Sequence, residues 1–260
     1  MIILLHSSKT MRTTSGGTRP LGRPALLAQA QRLDAYLKTL TPAQLAQAMQ
    51  LSPALAEKTH ALIAAWTPGP EGQSPAVDSF TGDIYSGLHA GDLSPADRDY
   101  AGRTLYILSG LYGVLRPDDG ICPYRLEMGY RLPDPPFANL YTYWGDAIAN
   151  CLPPAGPVVN LAAGEYAQVV TRYLDAPRCV TPRFLTLSPK TGQPTFVVVH
   201  AKIARGALAR WLITGRIQDP QAVTHFDQLG YAYDQALSSP GEPTFVCQTF
   251  GGKGLSIRLQ

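Results

Sequence analysis

The chain has 260 residues, of which 45% are apolar and 16% are charged. That apolar share is enough to bury a sizeable core, in one large domain or in two small ones. The net charge of +3 excludes the strong basic bias of histone-like nucleic-acid binders. A phosphate ligand would therefore need a local concentration of arginine and lysine.

Cysteine spacing and apolar runs bear on metals, redox compartment and membranes. The four cysteines form no CxxC pair and the five histidines are dispersed, so we expect no metal site. Scattered thiols in a chain this long favour a reducing, cytoplasmic location. The apolar run after Met1 has only four residues, and no later run approaches about 18, so we expect no signal peptide and no membrane contact.

The chain begins with a predicted strand, a loop and a helix. Residues 2–5 are apolar, which predicts a buried strand. Residues 11–23 are rich in Thr, Gly and Arg, which predicts a loop. From residue 25 to residue 40, apolar side chains recur at helical spacing.

Two further helix starts follow. Thr41 can cap a helix whose first residue is Pro42, with Gln44 completing a capping box, and the same device recurs at Ser52. Three short helices therefore fill residues 25–66. We predict one domain over the whole chain, in which these helices are a candidate subdomain.

The remaining predicted elements interleave strands and helices. Ser94 and Asp97 start a helix whose apolar register continues through Leu105 and Leu108, until glycines break it. The later elements are a helix at 140–150, a strand at 157–162, a strand at 195–201, a helix at 202–214 and a strand at 244–250. This order predicts an α/β or mixed α+β fold, with a central mixed sheet surrounded by helices.

Five polar clusters follow strand-like or glycine-broken segments, where open α/β sheets bind ligands. They cover residues 6–10, 80–88, 108–129, 161–166 and 200–206. Each also has an ordinary interpretation, as a surface turn, a capped turn, a structural loop or a solvated helix start. In the last cluster Lys202 and Arg205 would share one face of a helix that directly follows a strand.

Residues 123–127 place a phenol, a guanidinium and a carboxylate close together. In an extended segment Arg125 and Glu127 share one face, opposite Tyr124. The pair is either a structural ion pair or an anion clamp held by a carboxylate. If the clusters converge, they form a cleft for a polar anionic ligand or nucleic acid, with the side chains Lys9, Asp83, Tyr124, Arg125, Glu127, Glu165, Lys202 and Arg205.

The sequence also resembles a known family, the YaaA family of bacterial peroxide-stress proteins. The resemblance covers nearly the whole chain, in the family's order, through LLHSSKT, FTGDIYSGL, LSGLYGVLRPDDGICPYRLEMG, LYTYWGD, VVNLAAGEY and AKIARG. It implies one compact α/β fold with a positively charged cleft, binding of double-stranded DNA and a role in limiting oxidative damage. It establishes no cofactor, and a helix-hairpin-helix-like element, here in LSGLYGVL, is associated with the DNA binding.

Three basic positions of the family pattern are lost. Thr81 stands where the family has Lys before Gly-Asp, Gln168 where Lys follows Glu-Tyr, and Ile203 at the second Lys of Ala-Lys-Lys-Ala-Arg-Gly. Each lost phosphate contact would lower the salt slope of DNA binding by roughly one unit. The retained carboxylates would repel phosphate, but they suit chemistry on a polar small molecule.

Two hypotheses from different classes follow. In the first, which the resemblance implies, the chain binds double-stranded DNA, and the side chains on its phosphates are Lys9, Arg116, Arg125, Lys202 and Arg205.

In the second hypothesis the chain is an enzyme acting on a nucleotide-like or other anionic small molecule. Lys9 and Arg125 would hold the anionic group. Glu127 or Glu165 would be the general acid or base, with Asp83 as its partner. The side chains that would stack a heterocycle are Tyr85, Tyr124 or Trp144.

Overall fold

A computed structural model describes residues 1–13 and 21–254, so the loop predicted at 11–23 lies largely outside the described residues. The strands are β1 (Ile2–His6), β2 (Thr10–Met11), β3 (Ser74–Pro75), β4 (Phe80–Thr81), β5 (Leu105–Ser109), β6 (Gly113–Leu115), β7 (Gly120–Ile121), β8 (Val158–Asn160), β9 (Cys179–Val180), β10 (Arg183–Leu187), β11 (Pro194–Thr195), β12 (Tyr231–Ser239) and β13 (Glu242–Cys247). The helices are α1 (Leu27–Leu37), α2 (Pro42–Met49), α3 (Pro53–Ala65), α4 (Ala76–Ser79), α5 (Asp83–Leu88), α6 (Pro95–Thr104), α7 (Leu140–Trp144), α8 (Ala147–Asn150), α9 (Gly164–Thr171) and α10 (Val198–Thr214).

The main sheet has five strands in the order β6-β5-β1-β8-β9. The last four of these are parallel, and β6 returns antiparallel to β5. Every residue of β1, β5 and β8 is buried, as expected for parallel strands that are covered on both faces. These three strands end at His6, Ser109 and Asn160, and we call this place the carboxyl end of the main sheet.

A second sheet has four strands in the order β11-β10-β13-β12. Only β10 and β13 run parallel, and the other pairs are antiparallel. Its buried face carries an aromatic cluster, in which the ring of Phe184 lies 5.1–6.0 Å from those of Phe226, Tyr231 and Phe245. The mixed α/β class is therefore confirmed, with two main sheets.

Helix starts follow the local sequence closely. The capping box predicted at Thr41 with Gln44 is present, and the helix start predicted at Ser94 forms a second one with Asp97. Ser52 occupies the cap position of α3 but accepts no hydrogen bond there. Helices α1 to α3 pack into the same hydrophobic core as β1.

Helix α10 crosses α5 where each helix has a glycine. A Cβ on Gly206 would lie 1.8 Å from the carbonyl oxygen of Ile84, and a Cβ on Gly87 would lie 2.0 Å from that of Ile203. No side chain fits at either position, so the two backbones are in direct contact. Because α10 also packs on β10, it links the second sheet to the elements beside β1.

The strand expected at residues 195–201 is wrong. β11 ends at Thr195, and α10 begins at Val198. A β-branched apolar run suits a strand or a buried helix, and periodicity alone does not separate them. The helix prevails because the burial continues at helical spacing through Ala201, Ala204 and Leu208.

The helix expected from Ser94 to Leu108 ends at Thr104, and β5 takes up the remainder. The following turn enters β6 at Gly113, whose φ is +71°. LSGLYGVL therefore forms a β-hairpin, and the helix-hairpin-helix-like element expected there is wrong. The helix predicted at 140–150 is divided in two at Gly145, whose φ is +50°.

Within residues 1–13 and 21–254, no helix has the length and apolarity that a membrane span requires. The same residues assemble no group of three or more side chains of the kinds that bind metal ions.

Candidate functional site

Polar groups collect at the carboxyl end of the main sheet. His6 is the last residue of β1 and Ser7 follows it, while Ser109 ends β5 and Asn160 ends β8. All four are buried. An ordinary surface turn, which was the alternative interpretation of residues 6–10, would expose His6 and Ser7. Because parallel strands direct their carboxyl ends to one place, side chains distant in sequence meet where α/β proteins bind ligands.

Two buried phenols cover these strand ends. The hydroxyl of Ser7 donates to the Tyr166 oxygen at 3.3 Å, and the hydroxyls of Ser109 and Tyr124 are 2.6 Å apart. The Tyr166 ring also stacks on His6, with centroids 4.8 Å apart. Burial raises the pKa of both phenols, so they remain neutral hydrogen-bonding groups near pH 7.

His6 is a neutral imidazole inside the protein. Its Nδ1 accepts the backbone N–H of Ala163 at 3.3 Å, and its carbonyl oxygen accepts the Tyr85 hydroxyl at 3.0 Å. Burial, together with the charges of Arg205 and Lys202, lowers the pKa of His6 to about 3. With Nδ1 as acceptor, the ring proton is on Nε2.

Glu127 is a carboxyl group buried at the same site, with 8% of the residue exposed. Its Oε2 lies 3.9 Å from the Lys9 ammonium, whose side chain is 57% exposed. Burial raises the pKa of Glu127, Lys9 opposes that rise, and the Glu165 carboxylate adds to it. A carboxyl in these surroundings can hold or release a proton closer to neutral pH than an exposed one.

Glu165 is a second carboxylate near Glu127, but it is exposed. As the second residue of α9, it accepts the backbone N–H of Gly129 at 2.8 Å. Its carbonyl oxygen accepts the Tyr141 hydroxyl at 2.9 Å. A Cβ on Gly129 would lie 2.9 Å from the Glu165 carboxylate, so a larger residue there would displace that carboxylate.

Arg125 faces the first turn of the chain. Its Nη1 donates to the carbonyl oxygen of Lys9 at 3.3 Å. Its Nε is buried and has no hydrogen-bond partner within the described ranges. The cation paired with Glu127 is Lys9, so the structural Arg125–Glu127 ion pair considered above is not formed.

Lys202 and Arg205 bring positive charge to the site from α10. Both act on the pKa of His6, which places them near the end of β1. Burial lowers the pKa of Arg205. Over the part of the chain that the structure describes, neither residue has a hydrogen-bond or ion-pair partner. They lie in the second and third turns of α10 and not at a strand-to-helix junction as expected. The positive end of the helix dipole therefore lies before them.

Asp83 begins α5 on the α10 side of the site. A Cβ on Gly254 would lie 2.9 Å from its Oδ1 and 2.5 Å from the Ile203 side chain. The structure thus places Asp83 beside α10.

Arg116 lies apart from this cluster. Its guanidinium stacks 3.9 Å above the Tyr106 ring and donates to the carbonyl oxygen of Gly102. Both partners are near the start of β5, at the opposite end of the strand from Ser109. These contacts give Arg116 a structural role.

The aromatic side chains expected to stack a ligand are all buried. Tyr85, Tyr124 and Trp144 are 7%, 5% and 1% exposed, and the Trp144 indole donates to the carbonyl oxygen of Gly110 at 3.1 Å. Their rings pack against protein, which leaves no free face for a heterocycle.

Comparison with known proteins decides the family. The model of the family described as "Peroxide stress protein YaaA" matches residues 1–237. The chain belongs to this family. A UPF0246 protein of Salinispora tropica is 63% identical over 258 residues, which cover 99% of this chain and 98% of the relative.

More distant relatives match at similar coverage. A UPF0246 protein of Leptothrix cholodnii is 41% identical over 94% of this chain and 98% of its own length. A UPF0246 protein of a Shewanella species is 37% identical over 95% of this chain and 98% of its own length. The family resemblance inferred from the motifs is therefore confirmed.

Sequence reasoning missed several residues of the site. Ser109 was predicted to lie in a helix. Tyr130 directly follows the polar cluster at residues 108–129, and its backbone N–H donates to the carbonyl oxygen of Glu127 at 3.3 Å. Tyr166 was inside a polar cluster but carried no predicted role. The sequence offered one signal for Tyr166, which is its position near the start of a helix that follows a buried strand, three residues after Ala163.

Proposed function

We propose that this chain is an enzyme that acts on a small anionic molecule at the carboxyl end of the main sheet. The observation that carries the proposal is the buried Glu127 carboxyl, set between the Lys9 ammonium and the Tyr166 phenol. Burying an ionisable carboxyl is unfavourable for folding, and such groups concentrate at catalytic sites.

Glu127 is the proposed general acid or base. Its pKa is raised by burial, which brings proton exchange closer to neutral pH. Lys9, at 3.9 Å, would stabilise the ionised form after proton release. The neutral phenols of Tyr166 and Tyr124 supply hydrogen bonds without adding charge.

Four cations are available for the anionic group of the ligand: Lys9, Arg125, Lys202 and Arg205. Arg125 offers a buried, unpartnered Nε beside the Lys9 backbone, and Lys202 and Arg205 offer charges without partners in the described segments. A partly buried guanidinium without a counter-ion is unfavourable until an anion pairs with it. A phosphate or carboxylate on the ligand would supply that charge.

A metabolite-conversion experiment tests the enzyme proposal. The purified protein is incubated with a bacterial metabolite extract, and compounds that appear or disappear are followed by mass spectrometry. We expect conversion of at least one anionic metabolite by the wild type, and a loss of about 100-fold or more in Glu127→Gln. Glu57→Gln, on the exposed face of α3, is the matched control and should retain the activity. Equal turnover by Glu127→Gln would contradict the proposal.

Binding of double-stranded DNA is the second candidate function. It is favoured by the exposed Lys9 ammonium and by the unpartnered charges of Lys202 and Arg205. Three phosphate contacts predict an affinity loss of roughly 40-fold between about 50 and about 200 mM salt. Fluorescence anisotropy with a labelled duplex measures this loss, and salt-independent or undetectable binding would exclude the candidate. From the family description, we further propose that either activity serves the response to peroxide stress.

A further inference from the structure

A groove of about 450 Å³ lies between α2 and residues 129–133. Its polar lining comes from Gln44, Gln47, Gln50, Tyr130 and Arg131. The volume is in the range of small-molecule sites in proteins. None of these five residues was a candidate from the sequence.

The groove and the proposed catalytic carboxyls share one segment of backbone. The N–H of Gly129, which lines the groove, donates to the Glu165 carboxylate at 2.8 Å. The N–H of Tyr130, which also lines it, donates to the carbonyl oxygen of Glu127 at 3.3 Å. A ligand seated in the groove would therefore be next to the Glu165 carboxylate and the backbone of Glu127.

Tyr130 connects the two sites through its side chain as well. Burial raises the pKa of its phenol, Glu127 adds to the rise, and Arg125 opposes it both by charge and by a hydrogen bond. The phenol thus reaches the Arg125 and Glu127 side, while the residue forms part of the groove wall. An aromatic ring at this position offers a stacking surface for a planar heterocycle.

The groove also offers amide groups. Oε1 of Gln44 is occupied by the capping box, where it accepts the Thr41 N–H at 2.9 Å. Gln47 and Gln50 are exposed and have no hydrogen-bond partner within the described part of the chain. A glutamine amide presents a donor and an acceptor side by side, which matches the edge of a nucleobase.

We propose that this groove is a nucleobase-binding subsite and that the substrate of the enzyme is a nucleotide. Gln47 and Gln50 contact the edge of the base, Tyr130 stacks on its face, and Lys9 and Arg125 hold the phosphate beside Glu127. The assignment rests on the proposed function, because the phosphate and the reacting atoms occupy the site described there.

Calorimetric titration tests the subsite with defined probes: AMP, GMP, CMP and UMP, each compared with ribose 5-phosphate, which lacks a base. We expect at least one nucleotide to bind about tenfold or more tightly than ribose 5-phosphate, since base stacking adds roughly 1–3 kcal/mol. The double variant Gln47→Leu, Gln50→Leu and the single variant Tyr130→Ala should each reduce this advantage. Gln31→Leu, an exposed glutamine on α1, is the control that should keep it.

The outcomes separate the two proposals. If ribose 5-phosphate binds as tightly as every nucleotide, or if both groove variants keep the full nucleotide preference, the base subsite is wrong and the enzyme proposal stands. If no probe binds and Glu127→Gln converts metabolites as well as the wild type, both are wrong. Binding of ribose 5-phosphate should be unchanged in the Gln47→Leu, Gln50→Leu variant, which also shows that this variant is folded.

Discussion

The carboxyl end of the main sheet and the aromatic core of the second sheet are both well buried, but their polar groups differ. In the second sheet, buried Thr186 hydrogen-bonds to His200 and Tyr231, and buried Thr244 donates to the carbonyl oxygen of Leu237 at 2.9 Å. At the carboxyl end, Glu127 is a buried ionisable carboxyl, and the Nε of Arg125 lacks a partner in the described residues. The polar groups of the second sheet are satisfied within the protein, whereas at the carboxyl end the buried Nε of Arg125 is left without a partner among the described residues.

Cavity volume does not make this distinction. A cavity of about 600 Å³ lies between β9 and the β12–β13 hairpin, and its described lining contains no charged side chain. The groove between α2 and residues 129–133 is smaller, at about 450 Å³, but its lining includes the charged side chain of Arg131, and the N–H of Gly129 in its wall donates to the Glu165 carboxylate. Uncompensated buried charge is a stronger indication of a functional site than volume, because it is unfavourable for folding and concentrates at such sites.

The sharpest test of the contrast compares one residue from each region. Phe184→Ala removes a buried ring from the aromatic cluster and should lower the free energy of unfolding by about 3–5 kcal/mol. Glu127→Gln should abolish turnover and leave stability at pH 7 unchanged or higher, because burial disfavours the ionised carboxyl. Urea denaturation measures both variants. A loss of stability in Glu127→Gln equal to that of Phe184→Ala would contradict the contrast between the carboxyl end of the main sheet and the aromatic cluster.

Gly206→Ala tests the helix that joins the two regions. The added Cβ meets the backbone of Ile84, so α10 and α5 must separate, and we expect a loss of about 3 kcal/mol in thermal or urea unfolding. Gly91→Ala is the matched control, because a Cβ there meets nothing within 4 Å. Equal stability of the two variants would show that the crossing is not tightly packed.

The pH dependence of stability should depend on His6. Its folded-state pKa of about 3 is below the ordinary 6.5, so the unfolded chain binds a proton that the folded protein excludes. The stabilisation is fully present above pH 6.5 and is lost as the pH falls toward 3, by about 1.4 kcal/mol per pH unit. Urea titrations at several pH values should show a shallower slope for His6→Gln and the wild-type slope for His60→Gln. Identical slopes would place His6 in contact with solvent.

Lys9→Met should have the smallest effect on stability. The ammonium is 57% exposed, and such pairs contribute about 0.5 kcal/mol or less. The affinity of the Lys9→Met variant for inorganic phosphate should nevertheless fall about tenfold, because a charge-assisted contact is lost. Lys58→Met, at an exposed position of α3, is the control for both measurements. Unchanged phosphate affinity would remove Lys9 from the anion site.

Elements with local causes were predictable from the sequence, and those with global causes were not. The capping boxes at Thr41 and Ser94 depend on residues three positions apart, and both are present. Leu105 to Ser109 and Val198 to Ala201 were assigned to the wrong type, because an apolar run suits a buried strand and a buried helix equally. For Leu105 to Ser109 the choice depended on pairing with β1, which lies at the other end of a long separation in sequence.

The sequence by itself determined the family and the mixed α/β class, since both depend on residue type and order. Only the tertiary structure decided that Glu127 is buried beside Lys9, that His6 is neutral and that Arg116 is structural. It also brought a glutamine-lined groove next to the carboxyls. The physical reason is that burial and charge pairing, which set these properties, arise between segments more than 100 residues apart, as with Lys9 and Arg125, which lie 116 positions apart.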